Sequence, residues 1–128
     1  MPSVQTSLIL PSCNEGDKLR LTVESLLAHT DGEFEIIVID NGSSDGSSRF
    51  LETPFDRRVA LLQFDHRLGV VGARHAGAAR ARGEFLVFSD AHVLYPEGWL
   101  QPLLAELVGD VGLVGPALAN WGQPEGAV

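Results

Sequence analysis

The sequence predicts an α/β fold, an open and mostly parallel sheet flanked by helices. Apolar runs alternate along the chain with segments of helical periodicity. The runs are apolar throughout, not alternating, which means burial on both faces. Polar clusters at residues 11–15, 40–45 and 89–92 follow three of those runs, and an open parallel sheet binds ligands where its strands end.

The elements follow in order. Residues 7–10 read as a buried strand that stops at Pro11. Leu19, Val23, Leu26 and Leu27 recur at helical spacing, with Asp17 placed to cap that helix. Residues 34–40 are rich in β-branched side chains and form a second strand. Residues 41–46 carry turn chemistry at every position, and a short helix follows to about residue 52. Residues 59–64 are a third strand. Residues 72–82 form a helix rich in alanine and arginine, closed by Gly83. Residues 84–89 are a fourth strand. Trp99, Leu100, Leu103, Leu104 and Leu107 make the apolar stripe of another helix, with Pro102 tolerated in its first turn. Residues 111–114 read as a fifth strand. The domain therefore spans residues 1–117, and residues 118–128 form an irregular tail without periodicity. No closing element is read after it, so the fold is expected to be incomplete relative to a full domain of this class.

With 128 residues, one domain is expected. The single cysteine, Cys13, excludes an intramolecular disulfide and fits a reducing compartment. The first residues have neither a positive n-region nor an apolar run, so no signal peptide is read. No segment reaches the roughly 20 apolar residues of a membrane span. A cytoplasmic placement follows as an expectation. The net charge of -8 argues against nonspecific nucleic-acid binding. A negative protein that binds a polyphosphate must neutralise it locally, with a metal or with arginine.

Asp90 and His92 are the first candidates. One residue apart at a strand end, both side chains leave the same face and can share a divalent cation. Two protein ligands leave open positions for diphosphate oxygens and water. The imidazole favours Mn²⁺ over Mg²⁺. The plainer reading is a polar turn in which Asp90 caps backbone amides. Asp40 and Asn41 follow the second strand, where a carboxylate can read the N3–H of a pyrimidine and an amide can both donate and accept. Here the alternative is an Asx turn into Gly42. Arg74 and Arg82 lie on roughly one helical face, and one of them can meet a diphosphate bidentately. A solvated face is the simpler reading for Arg80 and Arg82. Cys13 has no neighbouring base in sequence and reads as a packed thiol. His29 and His66 read as surface or loop residues.

These residues stand in four segments: Leu8-Ile9-Leu10-Pro11-Ser12-Cys13-Asn14-Glu15, Val38-Ile39-Asp40-Asn41-Gly42-Ser43-Ser44-Asp45-Gly46, Gly72-Ala73-Arg74-His75-Ala76-Gly77 and Gly83-Glu84-Phe85-Leu86-Val87-Phe88-Ser89-Asp90-Ala91-His92. In this order the chain resembles the family-2 glycosyltransferases of the GT-A fold, over nearly its whole length. The resemblance implies a nucleotide-sugar-binding half. Pro11 and Cys13 would line the base pocket, with Glu15 beside them in the same segment. Asp40 and Asn41 would meet the base and ribose, and Arg74 would approach the diphosphate. Asp90 would touch the ribose or the metal, and His92 would ligate the metal. The family's metal motif is usually Asp-x-Asp. The Asp-x-His form, with residues 97–104, is similar to polypeptide N-acetylgalactosaminyltransferases. Family 2 inverts and that other family retains, so both stereochemical outcomes stand open.

The expected function is transfer of a sugar from a metal-bound UDP- or dTDP-sugar to an acceptor. The alternative is a truncated or accessory nucleotide-sugar-binding module without catalysis of its own. A dinucleotide-binding oxidoreductase fits less well, because the first strand runs into Pro-Ser-Cys-Asn-Glu-Gly and not Gly-x-Gly-x-x-Gly. An unpaired sheet edge would also allow a homodimer.

Overall fold

The computed structural model of the chain describes residues 3–115. Strands β1 (Thr6–Ser12), β2 (Phe34–Asn41), β3 (Val59–Phe64) and β4 (Phe85–Phe88) form one sheet in the order β3-β2-β1-β4. All three pairings are parallel. Helices α1 (Asp17–His29), α2 (Gly69–Arg80) and α3 (Leu100–Ala105) and a 3-10 turn at Arg49–Leu51 are the other elements of the described residues.

Each strand sends alternate side chains to opposite faces. Leu8, Leu10, Ile36 and Val38 meet Leu19, Val23 and Leu26 of α1. Ile9, Ile37 and Ile39 meet Ala73 of α2. Every residue of β2 is buried, which accounts for its unbroken apolar run. Gly77 lets α2 lie close to the sheet. A Cβ there would stand 2.5 Å from Ile9 Cγ2 and 2.7 Å from Ile39 Cδ1, closer than atoms can pack.

Four boundaries differ from expectation, each for a physical reason. β1 runs through Pro11 to Ser12. The Ile9 carbonyl accepts from Ser89 on the β4 side, so Pro11, two residues on, faces that same side where the ladder has ended. Its missing N–H costs nothing there. Asp17 is the first residue of α1 and not its cap; Gly16 takes the cap position without a side-chain bond. Asp17 still favours the positive end of the helix dipole. α2 begins at Gly69 and ends at Arg80, earlier than expected at both ends. At its start, Asn41 Oδ1 accepts from the Leu68 amide (2.6 Å). At its end, Ala81 is extended and Gly83 lies against β1, where a Cβ would sit 2.7 Å from the Ser7 amide nitrogen. Gly83 is thus needed for close approach and not as a helix cap. Residues 111–114 form no strand. The tail expected at 118–128 lies outside the described residues.

At the N-terminal ends of the strands, the buried Glu35 accepts from Ser7 Oγ (2.6 Å), the Arg82 amide (2.7 Å) and Arg82 Nε (3.2 Å). Arg82 therefore serves the fold and is not part of a merely solvated face. Burial alone would raise the Glu35 pKa, but the bonds from Ser7 and Arg82 outweigh it and hold the carboxyl below its ordinary value. A depressed folded-state pKa contributes stability that is complete above the ordinary value and is lost as pH falls. Thermal melts should show stability falling below about pH 4.3, the usual glutamate value. Glu35→Gln should flatten part of that fall, the rest belonging to Asp45, Asp56 and Asp65, whose carboxyls are also held low. An unchanged slope in the variant would remove Glu35 as a source.

Candidate functional site

The loops after β1, β2 and β4 meet at one edge of the sheet. Residues 13–16 and 41–47 are laced by hydrogen bonds. Asn14 Oδ1 accepts from the Ser44 amide (2.7 Å) and the Asp45 amide (3.2 Å). The Asn14 amide donates to Ser43 Oγ (3.0 Å), and the Gly16 amide to Asp45 Oδ2 (3.0 Å). Asn14 is held at φ 53°, a left-handed conformation that asparagine tolerates better than most residues. Hydrogen bonding from Ser47, with help from the Gly16 amide, keeps the Asp45 carboxyl below its ordinary pKa. Gly42, at φ 75°, passes the backbone of residues 66 and 67 with no room for a Cβ.

Asp40 and Asn41 are buried at the end of β2. Asp40 accepts from the Ser43 amide (2.9 Å) and from the Ser48 hydroxyl. Asn41 bonds to Leu68 and, more weakly, to the Gly69 carbonyl (3.4 Å). Both side chains are thus engaged within the protein, Asp40 in the local turn and Asn41 with residues 68 and 69. Pro11 and Cys13 are half-buried beside them.

Asp90 and His92 follow β4 on irregular backbone that bends at Ala91 and His92, not on a continued strand. They flank Ala91, which is 1% exposed and anchors the segment in the core while both polar neighbours face outward. His92 Nε2 lies 3.9 Å from Asp90 Oδ2. His92 Nδ1 lies 3.2 Å from both carboxylate oxygens of Glu15. The loops after β1 and β4 therefore touch through Glu15 and His92, which are 77 residues apart in the chain. Among the described residues no group of three or more His, Cys, Asp or Glu side chains is arranged to hold a metal ion. As a donor set, one carboxylate and one imidazole suit a borderline divalent ion with other positions left for ligand oxygens.

The segment carrying this pair is held by α1. Thr22 Oγ1 accepts from the Val93 amide (3.0 Å), and Ser25 Oγ from the Tyr95 amide (2.7 Å). His29 Nδ1 donates to the Tyr95 carbonyl (2.7 Å), and Trp99 Nε1 donates to Thr30 Oγ1 (2.9 Å). His29 is therefore a structural clasp and not a bland surface residue. Tyr95 packs on Trp99 with ring centroids 4.5 Å apart, and its hydroxyl bonds to Ser89. Burial, aided by the nearby Asp90 charge, raises the Tyr95 hydroxyl pKa, so it stays protonated. Sequence reading passed over Asn14 and this row on α1. The signal was present: Thr22, Ser25 and His29 are polar residues at helical spacing beside an apolar stripe.

Arg74 is exposed on α2 and makes no ion pair among the described residues. It lines a cavity of about 360 Å³ together with Phe88, Ser89, Asp90, Tyr95 and Leu104. Arg74 and Asp90 thus share one hollow. A second hollow of about 380 Å³ lies at the opposite end of the sheet, lined by Glu33, Phe34, Asp56 and Arg58. Its Arg58 is already bonded to Asp56 (3.0 Å) and stacked over Phe34, and no strand C-terminus opens into it. His66 pairs with its neighbour Asp65 (2.7 Å), apart from these groups.

A parallel sheet with polar loops gathered at its C-terminal edge defines an open α/β domain, the class that receives its ligands at that edge. The chain belongs to glycosyl transferase family 2, whose family model matches residues 7–126. It is 42% identical over 94 residues to polypeptide N-acetylgalactosaminyltransferase 15 of Homo sapiens, which covers 70% of this chain and 15% of that protein. It is 38% identical over 122 residues to polypeptide N-acetylgalactosaminyltransferase 6 of Bos taurus, covering 88% of this chain and 19% of that one. The chain thus spans under a fifth of these relatives. Its fold matches that of Staphylococcus aureus TarS residues 1–349 in complex with UDP-GlcNAc. The TM-score is 0.71 at 24% identity, over 80% of this chain and 30% of that one.

The lacing by Asn14 is testable. Asn14→Gly keeps the left-handed conformation and loses the accepted bonds, whereas Asn14→Ala loses both. Urea unfolding should rank native above Asn14→Gly and Asn14→Gly above Asn14→Ala. The second gap should be about 1–2 kcal/mol, the cost of a left-handed L-residue. Equal stability of the two variants would show that the backbone relaxes freely at this position.

Proposed function

We propose that this chain forms the donor side of a glycosyltransferase, binding a UDP- or dTDP-sugar with a divalent metal, Mn²⁺ in preference to Mg²⁺. The observation that carries the reading is the hollow shared by an unpaired arginine, Arg74, and Asp90 at the C-terminal edge of a parallel sheet, with His92 beside Asp90. A chain of net charge -8 must supply positive charge locally to hold a diphosphate, and this is where it can do so.

Arg74 pairs with diphosphate oxygens, in the bidentate geometry that guanidinium favours. Asp90 and His92 would hold the metal, which when bound supplies Lewis-acid stabilisation of the charge on the departing diphosphate. Pro11 and Cys13 form the wall for the base. Asp40 and Asn41, their side chains engaged internally, hold the loop against which base and ribose rest. The UDP and UDP-GlcNAc complexes of the like-folded TarS support a uridine nucleotide. The alternative is a nucleotide-sugar-binding module without transfer of its own. The exposed Leu86 and Phe88 on the edge strand β4 mark where a further strand, or a second copy, would pair.

Thermal denaturation with UDP, dTDP, GDP and NAD, each with and without Mn²⁺, tests the reading. A ligand of the native state at a hundredfold excess over its Kd stabilises by about 2.7 kcal/mol. The expected result is a shift with UDP or dTDP that requires Mn²⁺ and is lost in His92→Ala. A shift with NAD alone, or none with any nucleotide, would refute it. Turnover of a UDP-sugar by the chain would separate a transferase from a binding module.

A further inference from the structure

Glu15 stands in the stretch expected to meet the nucleotide sugar, yet its carboxylate is turned to His92. Both oxygens lie 3.2 Å from Nδ1. An ionised carboxylate can only accept, so Nδ1 must carry the hydrogen. A neutral imidazole then has its lone pair on Nε2. That atom faces the Asp90 carboxylate at 3.9 Å, too far for a hydrogen bond. Two electron-rich atoms thus face one another with a gap between them. Such an arrangement can take up a cation between the two atoms.

We propose that Glu15 is a positioning residue, which fixes His92 in the Nδ1–H form and aims the Nε2 lone pair toward the space shared with Asp90. This rests on the metal-assisted reading of the site and assigns Glu15 a part distinct from contact with nucleotide or sugar. The parts are built for it. Glu15 is the more enclosed partner, its side chain 23% exposed against 49% for His92. It sits immediately before Gly16, whose amide is bonded to Asp45, in the loop that Asn14 fastens to residues 43–45. His92 adjoins Ala91 in the core and Val93, bonded to α1. The two backbones are therefore held independently, and Glu15 and His92 close the space between them. A carboxylate behind a metal-binding histidine sets its tautomer and ring orientation and raises its basicity as a ligand.

Two measurements on the chain test this. The first needs no metal: the ¹⁵N shifts of the His92 imidazole at about pH 8, above the usual histidine pKa. The native chain should show the hydrogen on Nδ1. Glu15→Ala should show a mixture of tautomers, and Glu15→Gln, whose amide oxygen still accepts, should restore the native signature. The second is titration with Mn²⁺ alone, followed by the loss of its free-ion electron paramagnetic resonance signal. Glu15→Ala should bind on the order of 10–100-fold more weakly, with Glu15→Gln recovering most of the loss. A hydrogen on Nε2 in the native chain overturns the proposal. So does a tautomer indifferent to Glu15→Ala, or Glu15→Gln behaving as Glu15→Ala in both measurements. If the native chain shows the Nδ1–H form but binds Mn²⁺ no better than His92→Ala, the metal-assisted reading itself fails, and with it the function assigned to the contact. The two failures are thereby told apart.

Discussion

The site depends on how α1 holds a segment with no regular structure of its own. After Ser89, whose amide still bonds to Ile9, the chain leaves the sheet, and residues 90–95 have no ladder to place them. Their backbone groups still need partners, because an unpaired polar group near the core costs about 1–3 kcal/mol. Thr22, Ser25 and His29 supply those partners from one side of α1. The same helix buries Leu19, Val23 and Leu26 against the even-numbered residues of β1 and β2. One helix therefore ties the Asp90–His92 segment to the most buried part of the sheet.

The second constraint is the parallel sheet itself. Parallel pairing sends every strand's C-terminal end to the same edge, so the loops after β1, β2 and β4 must meet. Chemistry concentrates there for that reason. Asn14 binds the first two loops, while Glu15 and His92 bind the first to the last. The opposite edge is spent on stability, with Glu35 satisfied by Ser7 and Arg82. The two ends of the sheet thus divide the work between ligand and fold.

Charge decides what the C-terminal edge can take. The protein is acidic overall, and its site carries the carboxylates Glu15, Asp45 and Asp90. A bare diphosphate would be repelled by that surface. Arg74, free of ion pairs among the described residues, and a divalent cation between Asp90 and His92 would offset those three negative charges. Membership of glycosyl transferase family 2 and the sheet geometry bring the same edge forward independently.

The sequence by itself determined the α/β class, the four strands to within two residues at each end and the clusters that meet at the site. Those properties follow from local pattern: unbroken apolar runs mark strands buried on both faces, and turn residues mark where they stop. The helix stripes at Leu19, Val23 and Leu26 were legible in the same way. Long-range partnership was not. That Glu15 turns to His92, that Arg82 serves Glu35 and that Asn41 accepts from Leu68 all depend on residues far apart in the chain. Pro11 looked like a strand end because local pattern cannot show that the neighbouring strand stops before reaching it. Residues 111–114 have strand-like composition, but composition does not supply a partner, and a strand needs one. Tertiary structure decided these points, because which groups are hydrogen-bonded is settled by who is near in space.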